Sequence, residues 1–542
     1  MEKKNLKVLF VASECTPIAK VGGLGDVIGS LPKALKELGV DVRICLPKYQ
    51  IIDLKKPSTR AKPRARGELG SGLSRTELRS SSGLGAGLVP HRPALSKGCG
   101  AGAGYKFDLV VRDIKVKGER VNIYQGFLPE SEPRSLRGRV PVYLLENEKY
   151  FGENEIYPDL LSFQGIQRFL FFPQAVLEIF STFKWSPQAI HCHDWHTAIL
   201  PLLAKLQVKS QKHTPYRNEV SGSGLKVESL LTIHNLSNQG KWNPKEILDF
   251  LNLRGNELPT LKLRDKNGDF NVLQQGIFNA DLLNTVSPTY AKEILTKEYG
   301  EGLEESLFAR KKELFGILNG IDEKKFNPKT DPDLKANYSL KNLEKKIENK
   351  THLQEILNFK KSPETPLLAF IGRLDLQKGI DLIIEVIPEL IKINCQLINL
   401  GVGSSYFEKK LLEFSQKYPQ NISSQIKFDP ILAQKIYAGA DIILMPSKFE
   451  PCGLVQMIAI TYGTIPIARQ TGGLADTIED DKTGFLFKEY KGIAFLETIK
   501  RALKLYQDKE KWQSLMKNAM EKDFSWKISA QKYLKLYQKL LK

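Results

Sequence analysis

Short, uninterrupted apolar runs alternate with stretches of helical period along most of the chain. Residues 8–12 are apolar without a break, as expected of a strand buried on both faces of a parallel sheet. Val27, Leu31, Leu35 and Leu38 then recur at helical spacing until Gly39, and Val42, Ile44 and Leu46 alternate as a second strand. Strand, helix, strand over residues 7–47 predicts a right-handed βαβ unit. Strand-like segments follow at 107–111, 121–124 and 140–145, a helix at about 163–179, and buried strands at 189–193 and 229–233. A second set starts at 367–371 and continues with helix 380–391, strands 396–400 and 425–428, helix 431–438 and strand 442–445. The last stretch, from about 499 to 542, reads as amphipathic helix. The pattern predicts an α/β protein with two parallel sheets, each covered by helices.

Residues 55–104 break the alternation. They hold ten glycines, show no periodicity, and favour Arg, Gly and Ala where their flanks favour Lys, Ile and Asn. They read as a disordered insertion acquired separately from the rest. Ten Lys or Arg against two Asp or Glu make this stretch a large contributor to the net charge of +19. The remaining surplus is spread along Lys-rich helices with interspersed Glu, which is the pattern of a solvated face. No nucleic-acid motif accompanies it, so no nucleic-acid partner is expected. No apolar run reaches the roughly 18 residues of a membrane helix, and no targeting segment precedes the first strand, so no membrane association is expected either. The six cysteines form no CxxC pair and read as reduced thiols, consistent with a cytoplasmic location. His191-Cys192-His193 resembles a metal pair, but strand neighbours point to opposite faces and leave two ligands at most. No metal is expected.

Two glycine turns carry the candidate chemistry. Lys20-Val21-Gly22-Gly23-Leu24-Gly25-Asp26 follows the first strand, and Gly372-Arg373-Leu374-Asp375-Leu376-Gln377-Lys378-Gly379 follows the strand at 367–371. Each sits where a strand hands over to a helix, the place where α/β sheets bind ligands. Gly22 and Gly23 allow backbone N–H groups to approach an anion, and Arg373 and Lys378 add cations able to stabilise a leaving diphosphate. The other reading is a pair of tight turns with surface charges. Glu450-Pro451-Cys452-Gly453-Leu454 follows the strand at 442–445. Glu450 there either meets sugar hydroxyls and positive charge at an anomeric carbon, or caps a helix. His196, beyond a strand end, either bonds a substrate hydroxyl or is a satisfied structural residue. His191, His193 and His234 offer less.

At these residues the chain resembles the bacterial and plastid glycogen and starch synthases. The shared text runs in order through Ala12-Ser13-Glu14, the Lys20 turn, His193-Asp194-Trp195-His196, Thr232-Ile233-His234-Asn235-Leu236 and Thr285-Val286-Ser287-Pro288-Thr289-Tyr290-Ala291. It continues through Asn319-Gly320-Ile321-Asp322, Arg373-Leu374, Gln377-Lys378-Gly379, Tyr437-Ala438-Gly439-Ala440-Asp441, the Glu450 motif and Thr471-Gly472-Gly473-Leu474-Ala475-Asp476. The resemblance implies a GT-B fold: two Rossmann-like domains facing a cleft, at 1–318 and 319–524, with 525–542 a helix returning to the first. It implies retaining transfer of glucose from ADP-glucose, a co-substrate, to the non-reducing 4-OH of an α-1,4-glucan such as glycogen, with no metal or other cofactor. Lys20, Gly22 and Gly23 match the loop around the donor's phosphates and sugar. Arg373 and Lys378 match the phosphate cations, and His196 and Glu450 match residues that hold the glucosyl unit. Asp26 and Asn319 match further active-site positions, Glu14 falls near the acceptor, and Phe428 takes the place of an aromatic under the adenine. Gly453, Leu454 and Val455 lie beside the phosphates.

Some positions depart from the family pattern: Leu160 stands for Asn, Gln274 for Lys, Phe326 for Trp and Val455 for Thr. Ile458 occupies the place of a second acid found in other GT-B transferases, so no paired-carboxylate mechanism is implied. The rival readings are a GT-B transferase with another donor or acceptor, and a glucan-binding homologue inactivated by the insertion.

Overall fold

The computed structural model describes residues 6–54, 106–129, 138–157, 162–180, 182, 185–211 and 227–542. The stretch read as an insertion, Leu160, and most of the polar loop at 210–226 lie outside these residues.

Two large sheets organise the chain. The first half supplies β1 (Lys7–Val11), β2 (Asp41–Pro47), β3 (Asp108–Val116), β4 (Glu119–Phe127), β5 (Pro141–Glu146), β6 (Ala189–His193) and β7 (Glu228–Ile233). After a small ribbon of β8 (Lys241–Trp242) and β9 (Phe270–Asn271) come β10 (Leu282–Thr285) and β11 (Leu314–Gly316). The first sheet runs in the order β11-β10-β7-β6-β1-β2-β5-β4-β3. Its strands from β11 to β5 are parallel, and β4 and β3 add an antiparallel edge. The second half supplies β12 (Leu367–Ile371), β13 (Gln396–Leu400), β14 (Ile422–Gln425), β15 (Ile442–Met445), β16 (Ile465–Arg469) and β17 (Phe485–Phe487), ordered β14-β13-β12-β15-β16-β17 and parallel throughout.

The unbroken apolar run of β1 has a direct cause. Val8 and Phe10 pack into one buried cluster with the last helix, whereas Leu9 and Val11 pack into the cluster on the opposite face. Both faces of the strand are covered, so no polar alternation survives. The last helix, Trp526–Leu540, lies beside the helix Gly23–Glu37 of the first half. Its Tyr537 hydroxyl meets His191 Nδ1 at 2.8 Å, and Ser529 Oγ donates to Leu318 O at 2.5 Å.

Two expectations need correction. The strand expected at 425–428 is β14, three residues earlier, because its inward residues include Ser423 and the apolar cue at Ile426 and Phe428 belongs to the following loop. The single amphipathic stretch expected at the end is three helices, Gly492–Tyr506, Lys509–Met520 and Trp526–Leu540.

Candidate active site

Each sheet reverses its strand order at one point. In the first sheet the chain leaves β1 for β2 on one side and returns at β6 on the other. In the second it leaves β12 for β13 and returns at β15. A crevice opens at the carboxyl ends of the strands at such a point. Glu14, the Lys20 turn and His196 follow β1 and β6; Arg373, Lys378 and Glu450 follow β12 and β15. The two halves touch where Ser287, beyond β10, donates its hydroxyl to Pro451 O beyond β15 at 2.7 Å.

In the first half, the Glu14 carboxylate is buried beneath the glycine turn. Its Oε2 accepts Val21 N and Gly22 N, each at 2.7 Å, and its Oε1 accepts the Tyr157 hydroxyl at 2.6 Å. The Gly22 amide therefore bonds an internal carboxylate in this structure, and the helix Gly23–Glu37 begins just beyond it with no side-chain cap. Gly23 faces open space: a Cβ built there meets nothing within 4 Å. Lys20 Nζ pairs with both carboxylate oxygens of Asp26, at 2.6 and 2.7 Å, so these two residues act as a unit.

Tyr157 links this turn to His196, whose ring centroid lies 4.9 Å away. His196 is packed between Tyr157, Phe169 and Trp195, and its buried Nδ1 has no hydrogen-bond partner. Burial drives its pKa down to about 3, so the ring is neutral near pH 7. Beside it, Asp194 takes a left-handed backbone (φ 54°) and accepts His234 N at 2.7 Å. Burial pushes the Asp194 carboxyl up to about 7. His234 Nε2 pairs with His193 Nδ1 at 3.0 Å. Asp194 thus joins the site, although it did not stand out from the sequence, together with His234, which the sequence offered only as a weaker candidate. A non-glycine left-handed turn at a strand end is the local feature that marks Asp194. Among the described residues no group of three or more His, Cys, Asp or Glu side chains is placed to hold a metal ion.

In the second half, Lys378 Nζ lies 2.6 Å from Glu450 Oε2, which also accepts the Ser447 hydroxyl at 3.0 Å. Glu450 is not a helix cap: the next helix is Val455–Thr461, preceded by Gly453 at φ 75° and Leu454. Gly379 brings Lys378 into place. Its φ is 73°, and a Cβ there would sit 2.0 Å from Pro446 O, so only glycine allows this approach. Arg373 is turned onto its own loop, held by Asp375 and, at 2.6 Å, by Gln377 Oε1, with most of its side chain in solvent. It does not join the Lys378–Glu450 pair in this structure. Phe428 lies in the loop after β14 and is 53 % exposed, leaving a ring face free to stack.

Asn319 hydrogen-bonds the Cys452 thiol, which burial pushes up to about 12, and the buried Asn319 Oδ1 has no partner. Buried polar atoms without partners are rare in folded proteins, and His196 and Asn319 each supply one here. The arrangement offers paired charges, neutral hydrogen-bonding rings and an open glycine turn around one gap: what a polar, charged ligand with a diphosphate needs.

Comparison with known proteins agrees with this geometry. Residues 7–79 and 102–309 match the family described as Starch synthase catalytic domain, and residues 354–521 match Glycosyl transferases group 1. The first match breaks off and resumes within the stretch read as an insertion. The chain is 39 % identical over 538 residues to a glycogen synthase of Thermodesulfovibrio yellowstonii, covering 99 % of this chain and 98 % of that one. It is 39 % identical over 545 residues to a glycogen synthase of Thermotoga maritima, covering 99 % of each. Among solved structures, the catalytic domain of starch synthase IV from Arabidopsis thaliana, bound to ADP and acarbose, matches with a TM-score of 0.79 at 31 % identity over 99 % of both chains. A sucrose-phosphate synthase from Thermosynechococcus elongatus shares the fold at 16 % identity, with a TM-score of 0.56.

Proposed function

The chain belongs to the glycogen and starch synthases, glucosyltransferases of the GT-B fold, and from that premise we propose that it transfers glucose from ADP-glucose to the non-reducing 4-OH of an α-1,4-glucan. The observation that carries this reading is the Lys378–Glu450 pair at the reversal point of the second sheet. An ammonium has three N–H groups, and Glu450 takes one. The other two are available to the donor's diphosphate, with Arg373 able to swing from Gln377 to add a second cation. Charge stabilisation of the departing ADP then comes from this chain's own residues.

The remaining roles follow from position. Phe428 stacks under the adenine, and Gly453, Leu454 and Val455 lie along the phosphates. Glu450 stabilises positive charge as the bond between the anomeric carbon and the diphosphate breaks. The acceptor 4-OH attacks from the same face, its proton passes to the departing phosphate oxygen, and the configuration is retained. His196 and Asn319 hold sugar hydroxyls, and Lys20 and Asp26 close the donor side. The ADP bound to the Arabidopsis relative supports the adenine nucleotide, and the acarbose bound there supports a glucan acceptor. A cytoplasmic location fits the five described cysteines, all free thiols, and among the described residues no helix is long and apolar enough to cross a membrane.

ADP release from ADP-glucose in the presence of glycogen tests the proposal. Release that depends on glycogen supports it, activity with UDP-glucose alone overturns the donor assignment, and no transfer with any nucleotide sugar favours the inactive homologue.

A further inference from the structure

The Glu450 loop is gripped from the opposite half of the molecule. The short helix Pro288–Glu293 belongs to the first half, and its terminal residue, Glu293, reaches the turn at 471–473 that opens the helix Gly472–Thr477 of the second. Glu293 Oε1 accepts Thr471 Oγ1 at 3.0 Å and Gly472 N at 3.0 Å, and Gly472 N lies 3.1 Å from Oε2. The next amide, Gly473 N, donates to Glu450 O at 3.0 Å. A Cβ on Gly472 would fall 1.9 Å from Glu450 O, so the turn and the Glu450 backbone touch with no slack. Ser287, at the start of the same helix, holds Pro451 O. Asp476 closes the far side of the contact by accepting Thr289 N at 2.8 Å and Thr289 Oγ1 at 2.7 Å.

These bonds form one continuous chain. It runs from the Glu293 carboxylate to Gly472, across a single peptide to Gly473, and on to the carbonyl of Glu450. A packed, hydrogen-bonded chain of this kind transmits position, because its parts cannot deform independently. We propose that Glu293 is a positioning residue for the transfer: it fixes the 471–473 turn, and through it the Glu450 carboxylate, so that the placement of Glu450 depends on how the two halves are oriented. The inference rests on the reading of Glu450 given above. Glu293 itself touches no substrate in this scheme.

The contact has a distinctive chemical signature. Both donors reach one oxygen, Oε1, at 3.0 Å, and Gly472 N lies slightly farther, 3.1 Å, from Oε2. A glutamine whose carbonyl oxygen takes that place keeps both bonds and loses the charge. An aspartate keeps the charge but withdraws the carboxylate by about one carbon–carbon bond, roughly 1.5 Å, and loses both bonds. Positioning therefore predicts that Glu293→Gln outperforms Glu293→Asp, whereas a charge effect predicts the reverse.

The test compares full-length wild type, E293Q and E293D. It measures kcat and KM for ADP-glucose with glycogen, ADP affinity by calorimetry, and the thermal midpoint. The expected result is a fall in kcat of ~10- to 100-fold in E293D, as for a small displacement of a reacting group. ADP affinity in E293D should stay within ~3-fold of wild type, and kcat in E293Q within ~3-fold. If E293Q falls as far as E293D, if the E293D loss lies in ADP affinity, or if it only follows a lowered thermal midpoint, the inference is overturned. An active wild type with an unaffected E293D overturns this inference alone. An inactive wild type overturns the functional reading and this inference with it.

Discussion

Lys378 Nζ stands 2.6 Å from Glu450 Oε2, and Glu450 is only 5 % exposed. A carboxylate so enclosed depends on its cation, because leaving it alone would strand a desolvated charge. Arg373 has no such dependant; its partners Asp375 and Gln377 are neighbours on the same loop. The two cations flanking one turn therefore differ in what their loss does to the fold.

The first prediction separates them. Arg373→Ala should lower turnover by ~100-fold or more with an unchanged urea midpoint, because it removes the charge stabilisation supplied by a largely solvated side chain. Lys378→Ala should lower turnover as far and also cost ~1–3 kcal/mol of stability, below the value for a fully buried pair because Lys378 is partly solvated. Adding Glu450→Gln to Lys378→Met should recover the stability and not the activity. A Lys378→Ala protein as stable as wild type would mean that Glu450 does not rely on the pair.

Gly23 gives a second prediction. An alanine Cβ there meets nothing within 4 Å of protein, and the residue opens a helix with ordinary backbone geometry. Gly23→Ala should therefore fold normally and gain up to ~1 kcal/mol, as glycine replaced in a helix does. If the turn is glycine because a donor approaches it, KM for ADP-glucose should rise by ~10-fold or more, a difference of about 1.4 kcal/mol. Unchanged kinetics with raised stability would leave the glycine without a role in binding.

Phe428 supplies a third. Its ring is half in solvent and carries little of the fold. Phe428→Ala should weaken ADP binding by ~3- to 10-fold, the worth of one stacking contact, and leave the thermal midpoint unmoved. Phe428→Tyr should restore affinity. Calorimetric titration with ADP reads both, and an alanine variant that binds ADP as wild type does would remove the ring from the nucleotide site.

Much of this architecture was legible in the sequence, and what was missed shares a cause. β1 and β15 emerged almost residue for residue because their inward positions on both faces are apolar, and β6 and β13 did so because Ala189, Ile190 and Cys192, and Leu397, Ile398 and Leu400, keep the apolar run legible around their buried His, Gln and Asn side chains. β14 shifted because a strand that buries Ser423 lacks that cue. The site residues on the two glycine turns were visible because each turn is continuous in sequence. Glu14 under Gly22 was not, because the bond closes a fold-back whose geometry no local pattern states. Glu293 and Ser287 were invisible as partners of the Glu450 loop for a stronger reason: they meet it across more than 150 residues, through two independently folded sheets. Local pattern fixes elements and turns; contacts between distant elements need the assembled fold.

The pH dependence of stability makes the last prediction, and it pits two neighbours against each other. Burial lowers the His196 pKa from an ordinary 6.5 to about 3. The unfolded chain takes up a proton that the folded protein refuses, so the His196 contribution is intact above about 6.5 and lost as the pH falls toward 3. Burial acts on Asp194 with the opposite sign, raising its pKa from 3.8 to about 7. Here the folded protein keeps a proton that the unfolded chain releases, so this contribution is intact below about 4 and lost as the pH rises through 7. Between pH 7 and pH 5 acidification therefore removes about 2 kcal/mol through His196 and returns about 2 kcal/mol through Asp194. Relative to wild type, His196→Asn should make stability rise by about 2 kcal/mol as the pH falls from 7 to 5, and Asp194→Asn should make it fall by about that amount. Urea unfolding at pH 5, 6 and 7 measures both. If Asp194→Asn left the profile between pH 7 and pH 5 as it is in wild type, the carboxyl would have to be ionised in the folded protein, held by His234 N and Asn235 N strongly enough to outweigh its burial.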